Sequence, residues 1–177
     1  MAKKSTRNTR GRIVNAAWKL FYEQGYEDTT VEEIIELSGT SKGSFYHYFD
    51  GKDALLSTLS SLFDEKYEEL TGLLTPEMTA MEQLLFLNRE LFHMIENSIS
   101  LDLLARLYST QLTTNGEKHL LDHNRIYYKL LRKIIAKGQD SGQLSHSSNV
   151  NEMVKLYALC ERALLYDWCL CAGEYSL

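Results

Sequence analysis

The stretch TSKGSFYHYFDGKDAL, residues 40–55, decides how the rest of the chain is read. Four aromatic rings (Phe45, Tyr46, Tyr48 and Phe49) crowd into five positions, with His47 among them and Lys42 and Lys52 on either side. A buried segment would not carry Ser41, Lys42, Gly43, Ser44 and His47 together, and a solvated loop would not carry the rings. A short helix that lays one face on a scaffold and offers the other to a nucleic acid needs both kinds of residue. Phe45 and Phe49, four apart, supply the inner face. Ser41, Lys42, Gly43 and Ser44 occupy the N-terminal end, where the helix terminus favours phosphate and Gly43 lets a backbone come close. Tyr46 and His47 point outward with protons for phosphate oxygens, and Lys52 adds a further cation. Tyr48 reads as core packing.

Upstream, Ile13, Ala16, Ala17, Leu20 and Phe21 recur at helical spacing, which predicts a first helix over about Thr9–Glu23 that stops at Gly25. The segment TVEEIIELSG places Thr30 three residues before Glu33, a capping-box spacing, and closes at Gly39. A third short helix follows, capped by Thr40 or Ser41. Two short helices joined by a glycine-containing turn, behind a longer one, make a helix-turn-helix unit. Downstream, Asp50 is expected to cap one continuous fourth helix through GKDALLSTLSSLFDEKYEEL, about 28 Å long at the usual rise.

After Gly72 and Pro76, Thr79 and Glu82 form another capping box, for a helix through about Ile95, and a short helix is expected over Leu101–Ser109. Two long helices close the chain. EKHLLDHNRIYYKLLRKIIAKGQDS stays periodic until Gly142, and the next opens at the Asn149/Glu152 capping box and stops near Gly173.

The 177 residues are 44% hydrophobic and 24% charged, with one proline, which suits an all-α chain with a sizeable core. No apolar run approaches the ~20 residues of a membrane span, and the basic start lacks the apolar stretch of a signal peptide. Cys160, Cys169 and Cys171 are odd in number and lack a CxxC spacing, so free thiols in a reducing cytoplasm are expected. The net charge is −5, yet the first 22 residues hold six of the 19 basic groups and none of the 24 acids. A cationic start on an acidic body draws a chain to a polyanion by one end.

From about Ile13 to Leu56 the sequence resembles the DNA-binding domain of the TetR family of transcriptional regulators. IVNAAWKLFYEQGYEDTTVEEI followed by SGTSKGSFYHYFDGKDALL fits the family pattern of glycine, a small pair, Tyr-x-x-Phe, then x-x-Lys-x-x-Leu. Thr40 departs from it, standing where the family usually has a small hydrophobe. The resemblance implies phosphate contacts from Thr30, Tyr46, His47 and Lys52, and base-edge or groove contacts from Ser41, Lys42, Gly43 and Ser44. It also implies a basic arm (Lys3, Lys4, Arg7 and Arg10) reaching the backbone or minor groove. Residues 1–51 would form the DNA-binding domain and 52–177 a helical ligand-binding and dimerisation domain.

The residues agree with that division. The last two helices carry apolar side chains on more than one face each, including Leu131 on one and Leu164 on the other, which suggests packing both inward and against a second subunit. A mostly apolar cavity for a small organic molecule is expected from Phe63 and Tyr67, then Asn88, Arg89, Phe92 and His93, with Leu104, Tyr108 and Tyr127. Arg89 and His93, four apart, would recognise an anion.

The expected function is a ligand-responsive repressor, a homodimer on a palindromic DNA operator that a small molecule releases. The alternative is a redox- or metal-responsive regulator on the same fold. It would use the cysteines, or His119 and His123 placed four apart on one helical face. No nucleophile triad, phosphate-cradling glycine loop or carboxylate pair points to an enzyme, and no metal or cofactor is expected.

Overall fold

The computed structural model describes residues 2–113 and 118–177, with the side chains of the first helix described from Thr9 onward. Among the described residues the secondary structure is helical, with no strand. The chain divides into two compact units, Met1–Leu59 and Ser60–Leu177.

The first unit holds α1 (Ala2–Gln24), α2 (Val31–Ser38), α3 (Lys42–Tyr48) and α4 (Lys52–Leu56). α1 packs on α2 and α3, burying Ile13, Ala17, Phe21, Ile34, Phe45, Phe49, Leu55 and Leu56 in one core. α2 starts on the expected capping box. Thr30 Oγ1 accepts from Glu33 N at 3.2 Å while Thr30 N donates to Glu33 Oε2 at 2.7 Å. α2 ends at Gly39, whose φ of 60° is open to glycine at little cost and turns the chain toward α3. Ser41, not Thr40, caps α3, accepting from Ser44 N at 3.1 Å. Thr40 instead shares a hydrogen bond of 2.8 Å with the Ser38 hydroxyl, so the hydroxyl at this position is used inside the turn.

The continuous fourth helix is corrected. It breaks after Leu56 and resumes as α5 (Leu59–Thr71). Ser57 Oγ donates to Ala54 O at 2.7 Å, and Thr58 donates to Leu55 O through both N, at 2.9 Å, and Oγ1, at 2.6 Å. Hydroxyls that bond a carbonyl three residues back compete with the helix ladder, and Trp18 Nε1 adds a hydrogen bond to Thr58 Oγ1 at 2.9 Å. Asp50 does not cap α4. Gly51 is the N-cap, without a side-chain bond.

The second unit contains α6 (Ala80–Ser98), α7 (Leu101–Thr113), a 3₁₀ turn (His119–Leu121), α8 (Ile126–Asp140) and α9 (Val150–Leu170), besides most of α5. α8 packs on α6 and α9, and α7 packs on α9. The Thr79/Glu82 and Asn149/Glu152 capping boxes both form.

The single long helix expected from residue 117 to Gly142 is also corrected. Asp122 Oδ1 accepts from Asn124 N at 2.8 Å, a local turn that ends the 3₁₀ segment before α8 begins. His119 and His123 therefore do not share a helical face. α8 keeps one apolar face, with Lys129, Lys133 and Lys137 exposed on the other, and Leu131 is core. Of α8 and α9, the latter has apolar residues on two faces. Val154, Ala158, Leu165 and Trp168 are buried, whereas Leu156 is 62% and Leu164 is 47% exposed.

Candidate nucleic-acid interface and ligand cavity

α3 is held from beneath by Phe45 and Phe49, both buried, with ring centroids 6.0 Å apart. That leaves Ser41, Lys42, Gly43, Tyr46 and His47 exposed and Ser44 half-buried. Ser41 and Ser44 share a hydroxyl hydrogen bond of 2.9 Å at the N-terminus. Lys42 is 69% exposed on its side chain, 3.4 Å from Glu32, and its ammonium stands 6.0 Å from the Tyr46 ring centroid. A Cβ added at Gly43 would meet nothing within 4 Å, so no packing within the chain demands glycine there. Tyr48, half-buried, packs edge-on against His47.

Two of the expected phosphate contacts are placed differently. Lys52 Nζ donates to the carbonyls of Tyr26, Glu27 and Thr29 at 2.6, 3.2 and 2.8 Å. All three ammonium protons are used, and the charge also sits 4.3 Å from the Tyr26 ring centroid. Lys52 thus fastens the α1–α2 loop and has no spare proton for phosphate. Thr30 gives both its N–H and its hydroxyl proton to Glu33, so it serves α2 as a cap. Of the expected arm, Arg10 is exposed with its guanidinium 5.4 Å from the Phe49 ring centroid. The side chains of Lys3, Lys4 and Arg7 lie outside the described residues. Arg12, which the sequence did not single out, donates to Gly39 O at 3.4 Å and ties α1 to the turn before α3.

In the second unit, Phe63, Tyr67, Tyr108 and Tyr127 line a cavity of about 50 Å³, closed by Leu91, Leu120 and Leu165. Three charged residues not anticipated from the sequence also line it: Arg125, Glu161 and Arg162. Glu161 falls within the α9 series 154, 158, 161, 165, 168, where its neighbours in register are apolar or aromatic. An acid in a core register was the signal available in the sequence.

Glu161 is only 6% exposed. It accepts from Asn88 Nδ2 at 3.0 Å and from the Tyr127 hydroxyl, and the nearby Tyr157 hydroxyl donates to Leu84 O at 2.8 Å. Burial pushes its carboxyl pKa up, against the opposing pull of those hydrogen bonds and of the Arg162 charge. Burial, followed by the Glu161 charge, likewise pushes the Tyr67 and Tyr127 phenols up. Arg125 grips Asp64 with two hydrogen bonds, of 3.1 and 3.0 Å, and reaches Ser60 O at 3.0 Å.

The other expected ligand residues do not line this cavity. Phe92 and Leu104 are buried in the core, and Asn88 reaches the site only through Glu161. Arg89 and His93 are exposed on the outer side of α6. Arg89 pairs with Glu90 at 3.3 Å and lines a separate surface groove with Leu85 and Phe86. The pair therefore offers the cavity no anion receptor. The three cysteines are free thiols, and burial pushes Cys169 up, away from the reactive thiolate.

A three-helix head that presents a seven-residue helix behind a glycine turn, followed by an all-helical second unit, defines a helix-turn-helix regulator. Residues 13–59 match the family described as bacterial regulatory proteins, tetR family. A helix-turn-helix transcriptional regulator of Lactococcus lactis is 39% identical over 56 residues, which is 31% of this chain and 29% of that protein. The transcriptional regulator QacR of Staphylococcus aureus is 24% identical over 177 residues, spanning 84% of this chain and 92% of QacR. Among solved structures, Thermus thermophilus FadR, a TetR-family repressor in complex with lauroyl-CoA, has a TM-score of 0.78 at 24% identity. It covers 94% of this chain and 86% of its own; the likeness is one of fold. Among the described residues no helix is long and apolar enough to cross a membrane.

Proposed function

We propose that the chain is a ligand-responsive transcriptional repressor. It works in the cytoplasm as a homodimer that sets two copies of α3 into the major groove of a palindromic operator, and a small molecule in the second unit releases it. The observation that carries this is the edge of α3. Lys42, Gly43, Tyr46 and His47 face outward while Phe45 and Phe49 hold the helix down, and the open space at Gly43 suits close approach by a phosphate backbone. Ser41 and Ser44 add short polar contacts at the N-terminus. Lys52 and Thr30 act one step back, by fixing the loop and α2.

The first unit is the DNA-binding head and the second the effector and dimerisation body. Support for a homodimer comes from the α9 line Leu156, Cys160 and Leu164, exposed at helical spacing. Support for an effector comes from the mostly apolar cavity with its few polar groups. Fold neighbours have been seen with lauroyl-CoA in the Thermus protein and with stearoyl-CoA in Bacillus subtilis FadR.

Selection of bound duplexes from a random DNA pool tests the proposal. An inverted repeat with half-sites about 34–36 Å apart, or somewhat more, is expected, with affinity falling steeply as salt rises. Recovery of no preferred sequence over competitor DNA at moderate salt would refute it.

A further inference from the structure

The cavity of the second unit is lined by a buried carboxyl, Glu161, that has no ion pair among the described residues. Glu161 is met by two neutral donors, Asn88 and Tyr127, while the Tyr157 hydroxyl donates to Leu84 O at 2.8 Å. Of the two cations nearby, Arg125 is matched by Asp64 at 3.0 Å, and Arg162 gives its hydrogen bond to Tyr128 Oη at 3.1 Å. The hydroxyl of Tyr67, fully buried, has no hydrogen-bond partner among the described residues. A core register would be filled more favourably by leucine, because a buried carboxylate and a buried hydroxyl are costly without partners.

Three ligand classes can be weighed against this wall. An anion meets Glu161 and is repelled. A hydrocarbon chain leaves the Glu161 carboxyl without a counter-charge and the Tyr67 hydroxyl without a hydrogen bond. An ammonium group gains the carboxylate, the aromatic rings of Tyr67, Tyr108 and Tyr127, and the Tyr67 oxygen as an acceptor. At about 50 Å³ the cavity suits a small head group. It shares Tyr108, Leu120 and Arg162 with a groove of about 440 Å³ whose other walls include Leu112, Leu121 and Leu159, with Lys118 also on its wall; its mostly apolar lining suits an apolar body.

We infer that the effector site takes an organic cation, an amine whose ammonium head sits by Glu161 and Tyr67 and whose apolar body runs into the adjoining groove. This rests on the proposed effector role of the second unit and specifies the chemical class.

The experiment is calorimetry on the full chain with three probes of equal hydrocarbon length: octylammonium, octanol and octanoate. Octylammonium binds tightest, by about ten-fold or more over octanol. Glu161→Gln removes that preference, bringing octylammonium down to the level of octanol. Tyr67→Phe weakens octylammonium several-fold without lowering Tm, and it decides the matter if Glu161→Gln fails to fold. Equal or tighter binding of octanol or octanoate, no binding of any probe, or a preference that survives both substitutions overturns the inference. Release of the selected duplex is measured in parallel, with lauroyl-CoA as a fourth ligand. Release by lauroyl-CoA without octylammonium binding refutes the cation and leaves the effector role standing. Octylammonium binding that depends on Glu161 but does not alter DNA affinity upholds the cation and refutes the coupling.

Discussion

Gly43 and Lys52 lie nine positions apart and are constrained from opposite sides. Gly43 faces open space, so Gly43→Ala should leave stability unchanged or raise it by up to about 1 kcal/mol, since alanine is the better helix former. The same change should weaken operator binding by placing a methyl where the backbone approaches. A gel shift paired with a melting curve checks both halves, and unchanged DNA affinity would remove Gly43 from the interface. Lys52 gives its protons to three carbonyls, so Lys52→Met should cost about 1–3 kcal/mol of stability and leave the salt dependence of DNA binding nearly intact. If the protein melts as before while the salt slope drops by about one, Lys52 is a phosphate ligand after all. Glu161 gives a pH test. Its pKa in the fold lies above its unfolded value because of burial, so its contribution is complete below the unfolded pKa and is lost as pH rises through the folded one. The capping carboxylates Glu33 and Glu82, held low first by backbone hydrogen bonds, act in the opposite sense and lose their contribution as pH falls. As pH rises above the unfolded carboxyl range the wild-type Tm should therefore drop more than that of Glu161→Gln, and parallel curves would contradict the raised pKa.

At the scale of elements, the close approach of α8 to the start of α6 depends on Gly138. A Cβ there would lie 2.6 Å from Ala80 Cβ and 2.7 Å from Leu144 Cδ1. The rigid alanine cannot yield, so Gly138→Ala should destabilise by about 1–3 kcal/mol through overpacking, despite its gain in helix propensity. Adding Ala80→Gly should recover part of the loss in a double-mutant cycle, and a higher Tm for Gly138→Ala alone would contradict the packing. The capping boxes are easier to anticipate. Thr79→Ala should cost about 1 kcal/mol by freeing the Glu82 N–H, measurable as a shift in denaturant midpoint. Such boxes are legible in the sequence because both partners lie within one turn. The break between α4 and α5 was not, because Ser57 and Thr58 fit a helix by pattern and interrupt it only where Trp18, forty residues away, supplies the competing hydrogen bond.

For the whole molecule, the outer face of α9 carries the expectation of a homodimer. Leu156 and Leu164 are exposed in the single chain, so replacing both with glutamate should leave each subunit folded yet monomeric. Sedimentation with circular dichroism separates that outcome from misfolding. A wild-type chain that stays monomeric at micromolar concentration would refute the dimer. Charging Leu131, which is core, should instead unfold the second unit. Operator affinity should fall with the monomeric variant, because one head loses the two-fold match to a palindrome.

The sequence by itself determined the all-α class, the end of α1 (though not its start at Ala2), the positions of α2 and α3, the glycine turn at Gly39, three capping boxes and the outward set on α3. Each of these depends on residues within a few positions of one another, so spacing alone carries the physics. Tertiary structure decided where Lys52 sends its protons, that Arg89 and His93 face outward from α6, and that His119 and His123 belong to no common helix. It also decided that Glu161 meets Asn88, seventy-three positions away, beside the phenols of Tyr67 and Tyr127. These depend on which faces of α5, α6, α8 and α9 are brought together. Periodicity shows that a helix has a buried face, but not which polar group on another helix will be buried against it.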